Sequence, residues 1–208
     1  YKLVVFLFFI TALAAAQQPV RLFFMQGNQF GYADEKGKTV IPVSYIYATD
    51  FSEGLAVAAK GSDMFSALKG YINPKGEWAI QPAYSTADAF SEGLARVAVN
   101  GKWGYIDKTG KMVIQPQFQL CYDFKNGYAQ AQTKTKWGLI DNKGKFVIQP
   151  EFYNITDYSG KVLGTKKTMY DKWVLQDILG KPASEQTFSR MAGFDAGLAP
   201  ARNPEDKW

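Results

Sequence analysis

The chain has 208 residues, of which 47% are hydrophobic and 21% are charged, and its formal net charge is +5. This composition excludes a disordered chain and supplies enough apolar residues for a sizeable core, and the 15% aromatic content favours β-strands. The single cysteine, Cys121, excludes an intramolecular disulfide framework. Because the chain contains no histidine that could activate a nucleophile, we expect Cys121 to be a buried thiol without a catalytic role.

Residues 1–16 are predicted to be a signal peptide. An apolar run follows Lys2 and ends in the small residues Ala14, Ala15 and Ala16. The run is shorter than the roughly 20 residues of a membrane span, and its small residues suit cleavage before Gln17. Because the chain opens on Tyr1, the start of the charged n-region is expected to be missing. We therefore expect export to the periplasm, cell surface or extracellular space, with no stable membrane span in the mature chain; a buried N-terminal helix is the alternative.

A unit of about 34 residues then recurs along the chain. It is clearest at residues 102–116 and 136–150, and its central glycines are spaced by 39, 34 and 34 residues. We assign a linker to residues 17–27, four units to residues 28–171, and a degenerate fifth unit with the start of a truncated sixth to residues 172–208. A repeat of this length is one supersecondary unit that buries its apolar face by stacking on its neighbours.

Three strands are predicted in each unit, and in the third unit they are Leu94–Val99, Trp103–Asp107 and Met112–Phe118. Asn100-Gly101 is typical of a tight hairpin turn between the first two strands. The second turn begins at an Asp or Asn and contains a glycine, so these carboxylates and amides are interpreted as turn formers rather than catalytic groups. The residues concerned are Asp34, Asn73, Asp107 and Asp141.

The third strand contains a proline, which cannot donate to a ladder and therefore marks an edge, a bulge or a strand end. The prolines are Pro42, Pro82, Pro116 and Pro150. Segments 51–56, 90–95, 124–129 and 194–199 then turn the chain into the next unit, each with a glycine at the bend. Alternation leaves both faces of the second strand partly apolar, which suits a sheet covered by neighbouring units. We interpret the Trp and Phe positions as packing between units rather than a ligand platform.

These motifs resemble the WG-repeat family, also called the KWG repeat, over about residues 28–165. The residues of the repeat signature are Gly31, Gly70, Trp103, Gly104, Trp137, Gly138 and Trp173. The resemblance implies a bacterial, often exported, all-β repeat protein, and it transfers no catalytic residue. The fifth unit departs from the pattern, with Val174 in place of glycine, Gln176 at the position expected for Asp, and Gly180-Lys181 falling late.

The predicted fold is therefore all-β, a tandem array of three-stranded β-meander units in an open, twisted solenoid or superhelix. Propeller-like closure is the alternative, although propeller blades have four strands and roughly 40–45 residues. Helix is expected only in the signal region and at residues 182–190.

The leading functional hypothesis is a non-enzymatic exported binding or scaffold module whose partner is a protein or a polysaccharide. The lysines lie mostly in solvated turns, which we prefer to a nucleic-acid or membrane patch as their explanation. No cofactor, metal or nucleic-acid partner is predicted. The unusually long connection at residues 58–69 offers a candidate binding loop with Lys60, Asp63, Met64 and Phe65, although an inert hairpin is the simpler interpretation. The alternatives are a spacer for a missing C-terminal domain, or a hydrolase using carboxylates such as Glu53 and Glu92. We expect Glu53, Glu92 and Asp107 to be exposed at turns.

Overall fold

The computed structural model describes residues 21–193 and 200–202, and every regular element among them is a β-strand. The strands are β1 (Leu22–Gln26), β2 (Gln29–Ala33), β3 (Thr39–Tyr45), β4 (Tyr47–Ala48), β5 (Ala56–Ala59), β6 (Lys69–Ile72), β7 (Trp78–Tyr84), β8 (Thr86–Ala87), β9 (Leu94–Val99), β10 (Lys102–Asp107), β11 (Met112–Phe118), β12 (Leu120–Cys121), β13 (Tyr128–Thr133), β14 (Lys136–Asp141), β15 (Phe146–Phe152), β16 (Asn154–Ile155), β17 (Leu163–Lys166), β18 (Trp173–Gln176), β19 (Pro182–Phe188), β20 (Arg190–Met191) and β21 (Ala201–Arg202).

The strands form six small antiparallel sheets that follow one another along the chain. Sheet I contains β1–β3, sheet II β4–β7, sheet III β8–β11, sheet IV β12–β15, sheet V β16–β19 and sheet VI β20–β21. No strand pairing among the described residues joins one sheet to another, and none of the sheets closes into a barrel. The all-β repeat array predicted from the sequence is confirmed. Within the described part of the chain no helix could cross a membrane.

The three predicted strands of the third unit are confirmed, and β10 begins one residue earlier than predicted. Each of sheets II to V also contains a fourth strand of two residues, which pairs with the first predicted strand of its unit. Sequence alternation could not reveal this strand, because two residues are too few to show a period. The four-stranded sheets remove the strand count as an argument against propeller blades.

Strands form both in the assigned linker and in the predicted second helix. Residues 22–26, assigned to a linker, form β1 and pair with β2. The helix expected at residues 182–190 is instead β19 followed by the start of β20, because β19 pairs with β18 at both of its ends. The signal region, the bend at residues 194–199 and the start of the sixth unit at Lys207-Trp208 lie outside the described residues.

A bulge in the third strand explains two residues of the signature together. In sheet III, Trp103 pairs with Phe118 and Tyr105 with Ile114, so the strand that contains Pro116 carries two extra residues. Proline fits this bulge since no ladder bond is required of it. A Cβ on Gly104 would collide with the carbonyl oxygen of Ile114, so glycine is required beneath the bulge. The backbone that approaches this glycine closely belongs to the same unit.

The fifth unit shows what happens when the glycine is lost. Val174 pairs directly with Thr187, and the register shift falls later, between Val174 and Gln176. Its turn, in contrast, keeps the pattern of the other units, because the side chain of Asp177 accepts the N–H groups of Leu179 and Lys181. The interpretation that Gln176 replaces the turn aspartate was wrong, and Gly180, with φ of 82°, lies in register.

Buried tyrosines connect each of the first three sheets to the next unit. The Tyr32, Tyr71 and Tyr105 hydroxyls each donate over 2.8 Å to a backbone carbonyl that follows the short strand of the next unit. Each ring also packs on a phenylalanine of that next unit with centroids 4.9–5.0 Å apart, and the partners are Phe51, Phe90 and Phe124. The core therefore lies between successive units, as the repeat pattern predicts.

Tight turns at one edge of the array form hydrogen bonds with the corresponding turn of the next unit. Glu53-Gly54, Glu92-Gly93 and Asn126-Gly127 all have positive φ, which is the geometry of a two-residue I′ turn. The Glu92 carboxylate accepts the N–H groups of Asn126 and Gly127 in the next unit, each over 2.7 Å. Glu53 accepts the N–H of Gly93 in the same way.

Candidate functional site

The signature residues themselves are structural. All four glycines are buried, and Trp137 and Trp173 are each 9% exposed while Trp103 is half-buried. Tyr71 and Tyr105 are fully buried in the core. Because most of these aromatic side chains are buried, a binding surface must be sought outside the signature.

A charged cluster lies where sheet III meets sheet IV, and Arg96 on β9 is its centre. The Nε atom of Arg96 lies 3.2 Å from Asp88 and 3.0 Å from Asp123, and its Nη1 donates to the carbonyl of Cys121. The buried Nε makes no hydrogen bond of acceptable geometry, so its attraction to the two carboxylates is electrostatic. The guanidinium also lies over the rings of Trp103 and Tyr122, at 5.3 and 5.7 Å from their centroids.

The electrostatics of this cluster follow from its partial burial. Burial raises the pKa of Asp88 above its ordinary value, the positive charge of Arg96 opposes that rise, and the negative charge of Asp123 adds to it. One cation thus holds two carboxylates of neighbouring units, and the cluster fixes the loop that carries Tyr122.

Tyr122 is the exposed aromatic side chain that this loop presents. Its ring is 49% exposed and stacks on Trp137, with centroids 5.3 Å apart and ring planes 22° apart. Two cavities share Tyr122 and Asp157 in their walls, one of about 450 Å³ and one of about 230 Å³. The larger cavity is also lined by Ser91, Asp123, Phe124 and Lys125. Because two residues line both of them, the cavities adjoin, and together we call them the Tyr122 groove.

Polar side chains with defined partners line the Tyr122 groove. Asp157 accepts a hydrogen bond of 2.6 Å from the Gln130 amide, and its other carboxyl oxygen lies 3.5 Å from the Lys125 ammonium. Gln130 is buried, so its amide is held in place by this bond. Trp173 lies in the wall of the smaller cavity.

The chemistry of the groove is that of a polar recognition site. Carboxylates accept hydrogen bonds, the amide and ammonium groups donate them, and an aromatic ring offers an apolar face. Among the described residues no group of three or more His, Cys, Asp or Glu side chains is placed to hold a metal ion.

Cys121 lies beneath this site and is buried, as expected. Burial raises the pKa of its thiol to about 11, and a hydrogen bond with Tyr105 and the charge of Arg96 offset only part of that effect. A protonated, buried thiol is a poor nucleophile.

The predicted binding loop occupies a different place. In the β5–β6 connection the carboxylate of Asp63 accepts the N–H groups of Phe65 and Ser66, and Lys69 donates to the carbonyl of Met64. Lys60 lies over the Tyr45 ring, 5.0 Å from its centroid. Phe65 is 84% exposed at the loop tip. None of the four predicted loop residues lines either cavity of the Tyr122 groove.

Sequence reasoning missed the residues of the Tyr122 groove. Val57, Arg96, Gln130 and Gly164 occupy the same position in successive units, at the third residue after the connecting turn or its equivalent. A charged or amide side chain at an inward strand position was the available signal. Its partners, Asp123 and Asp157, belong to the following unit and are therefore remote in sequence.

Comparison with known proteins identifies the repeat. The family described as WG containing repeat matches residues 30–62, 70–103, 103–136 and 137–173. No curated protein matches the chain.

Solved structures resemble the chain only distantly. The extracellular domain of the one-component system BT4673 from B. thetaiotaomicron is 14% identical with a TM-score of 0.44, and the match covers 80% of this chain and 27% of that one. A eukaryotic initiation factor is 9% identical with a TM-score of 0.42, covering 86% and 64% respectively. Regucalcin from Agrobacterium tumefaciens is 11% identical with a TM-score of 0.34, covering 77% and 70%. The chain thus spans about a quarter of the first structure and just under two thirds of the second.

Proposed function

Because the chain belongs to the WG-repeat family and most of its signature residues are buried, we propose that it is a non-enzymatic binding module that holds a polysaccharide in the Tyr122 groove. The observation that carries the proposal is the half-exposed ring of Tyr122 between two adjoining cavities, with Asp157, Gln130 and Lys125 beside it. Sugar rings have an apolar face that packs on an aromatic ring, and hydroxyl groups that need both donors and acceptors.

The hydrolase alternative receives less support. It requires two carboxylates that converge in a cleft, and Glu53 and Glu92 were the candidates. Both are exposed, as predicted, and each binds backbone N–H groups of the next turn. Asp107 is half-buried and accepts the N–H groups of Thr109 and Lys111 within its own turn, which is the structural role expected of it.

Export is part of the proposal and is supported by the apolar run at residues 3–16 with its small residues. Expression of the full chain in a bacterial host, followed by fractionation and N-terminal sequencing, tests it. We expect a mature protein outside the cytoplasm that begins at Gln17; a cytoplasmic protein with an intact N-terminus would contradict export.

The binding proposal is tested with a panel of neutral and acidic oligosaccharides and isothermal titration calorimetry. We expect one class to bind, and Tyr122→Ala to weaken binding about tenfold or more, because the ring provides the apolar face. Tyr153→Ala is the matched control, since Tyr153 is 41% exposed and lies outside both cavity walls. Absence of binding across the panel would contradict the polysaccharide proposal and favour the spacer. Equal losses in the two variants would contradict the location.

A further inference from the structure

One edge of the array carries an unusual concentration of positive charge. It is formed by the connections between the second and third strands of sheets II to V, at residues 60–69, 100–102, 134–136 and 166–172, which we call the hairpin edge. These segments contain eight lysines and two aspartates. Their net charge of +6 exceeds the +5 of the whole chain.

The opposite edge provides an internal comparison. The turns at residues 34–38, 73–77, 107–111, 141–145 and 177–181 also contain eight lysines, but they contain six carboxylates. Moreover, among the residues that the structure describes, none of the eight hairpin-edge lysines forms an ion pair within 4.0 Å. The positive charge of the hairpin edge is therefore not neutralised locally.

The same edge exposes large apolar side chains at the tips of its two longest loops. In the β5–β6 loop these are Met64, Phe65 and Leu68, with Phe65 84% exposed. In the β17–β18 loop they are Met169 and Tyr170, with Tyr170 93% exposed. Apolar side chains this exposed, on loops that also carry lysines, indicate an interaction surface.

Both loops are held in defined shapes by local bonds. Asp63 binds the backbone of Phe65 and Ser66, while Asp171 accepts the N–H of Thr168 over 2.8 Å. Lys136 donates to the carbonyl of Lys167, so the neighbouring hairpins of sheets IV and V touch at this edge. Hydrogen bonds of the folded chain therefore hold the apolar loop tips in place.

We infer that the hairpin edge docks on an anionic lipid bilayer, with Phe65 and Tyr170 entering the interface and the lysines contacting the head groups. Lysines near a negatively charged bilayer attract it, while exposed apolar and aromatic side chains add burial in the interfacial region. The Tyr122 groove does not include the hairpin edge, so this inference stands whether or not the proposed function is correct.

Sedimentation of the full chain with 100 nm vesicles tests the inference. We expect binding to vesicles of phosphatidylcholine and phosphatidylglycerol in equal parts, and at least tenfold weaker binding to phosphatidylcholine alone. The double variant Lys167→Gln, Lys172→Gln should bind the anionic vesicles about 25-fold more weakly, at about fivefold for each lysine. The matched control is Lys143→Gln, Lys145→Gln on the opposite edge, which should bind as the parent does.

The apolar contribution is tested separately. Phe65→Ala, Tyr170→Ala should weaken binding about tenfold, whereas Leu179→Ala should not, although Leu179 is 89% exposed on the opposite edge. A polarity-sensitive dye on Phe65→Cys should shift to shorter wavelength with anionic vesicles, and a dye on Leu179→Cys should not. Equal binding to both vesicle types, an unchanged dye at position 65, or sedimentation abolished by an equal charge of soluble polyglutamate would overturn the inference.

Discussion

At the scale of single residues, Gly104 shows why glycine recurs at the same position in the first four units. Its equivalents Gly31, Gly70 and Gly138 also face a backbone carbonyl, and a Cβ on Gly70 would lie 2.5 Å from that of Ile80. The constraint comes from a backbone that cannot move aside, since the bulge is fixed by strand pairing on both sides.

We predict that Gly104→Ala destabilises the protein by about 3 kcal/mol, because the methyl group forces the bulge to shift. Gly101→Ala is the control: it has positive φ but open space around it, and should cost about 1 kcal/mol through backbone strain alone. Urea unfolding followed by tryptophan fluorescence measures both. Equal losses would show that the steric argument is wrong.

The buried thiol gives a second prediction at this scale. With its pKa raised to about 11, Cys121 is protonated at pH 8 and shielded from reagents. We expect no alkylation by iodoacetamide in an hour at pH 8, and complete alkylation in 6 M urea, measured by mass spectrometry. Rapid labelling of the folded protein would contradict the burial.

At the scale of elements, the connecting turns join successive units through hydrogen bonds. Ser52 and Ser91 donate over 2.7 Å to the carbonyls of Phe90 and Phe124 in the following unit, and Glu53 and Glu92 accept N–H groups there. Lys108 adds an ion pair with Glu53 over 2.9 Å. Burial opposes the ionisation of Glu53, but its hydrogen bonds with Lys108 and Gly93 together outweigh burial and lower the pKa of its carboxyl.

Glu92→Ala should therefore lower the free energy of unfolding by about 1 kcal/mol, because two N–H groups lose a charged acceptor at an exposed site. Glu35→Ala is the matched control, since Glu35 is exposed and its side chain makes no hydrogen bond or ion pair with any residue that the structure describes. Chemical unfolding at pH 7 compares the two variants. If Glu35→Ala lowered the free energy of unfolding as much as Glu92→Ala, this result would contradict a specific role for the Glu92 hydrogen bonds.

At the scale of the whole molecule, the buried tyrosines link stability to alkaline pH. Burial raises the pKa values of Tyr32, Tyr71 and Tyr105 far above the ordinary value of 10.0. Their hydroxyls stay protonated in the fold and ionise when it unfolds. The free energy of unfolding is therefore constant below pH 9 and falls as the pH rises through 10. Above that pH, ionisation of each of these tyrosines in the unfolded chain lowers it by about 1.4 kcal/mol per pH unit.

We expect the urea midpoint to be constant from pH 7 to 9 and to fall steeply between pH 10 and 11. Tyr71→Phe should be less stable at pH 7, because the Asp88 carbonyl loses its donor. It should also show a shallower alkaline decline, because one titrating group is gone. A decline identical to that of the parent would contradict the assignment to the buried tyrosines.

The sequence by itself determined the turns, the tandem order and the three main strands of the regular units, because each of these depends on residues close together in the chain. Asp107 and Gly110 specify their turn locally, as do Asn100 and Gly101. Only the tertiary structure revealed the two-residue fourth strands, the bulge above Gly104 and the Tyr122 groove. The short strands and the bulge depend on strand pairing within a sheet. The groove depends on contacts between units, such as Arg96 with Asp123 and Gln130 with Asp157, which are 27 residues apart in each case. A repeat pattern predicts that units stack. It does not predict which of the residues that differ between units, such as Arg96 and Gln130, will contact the next unit.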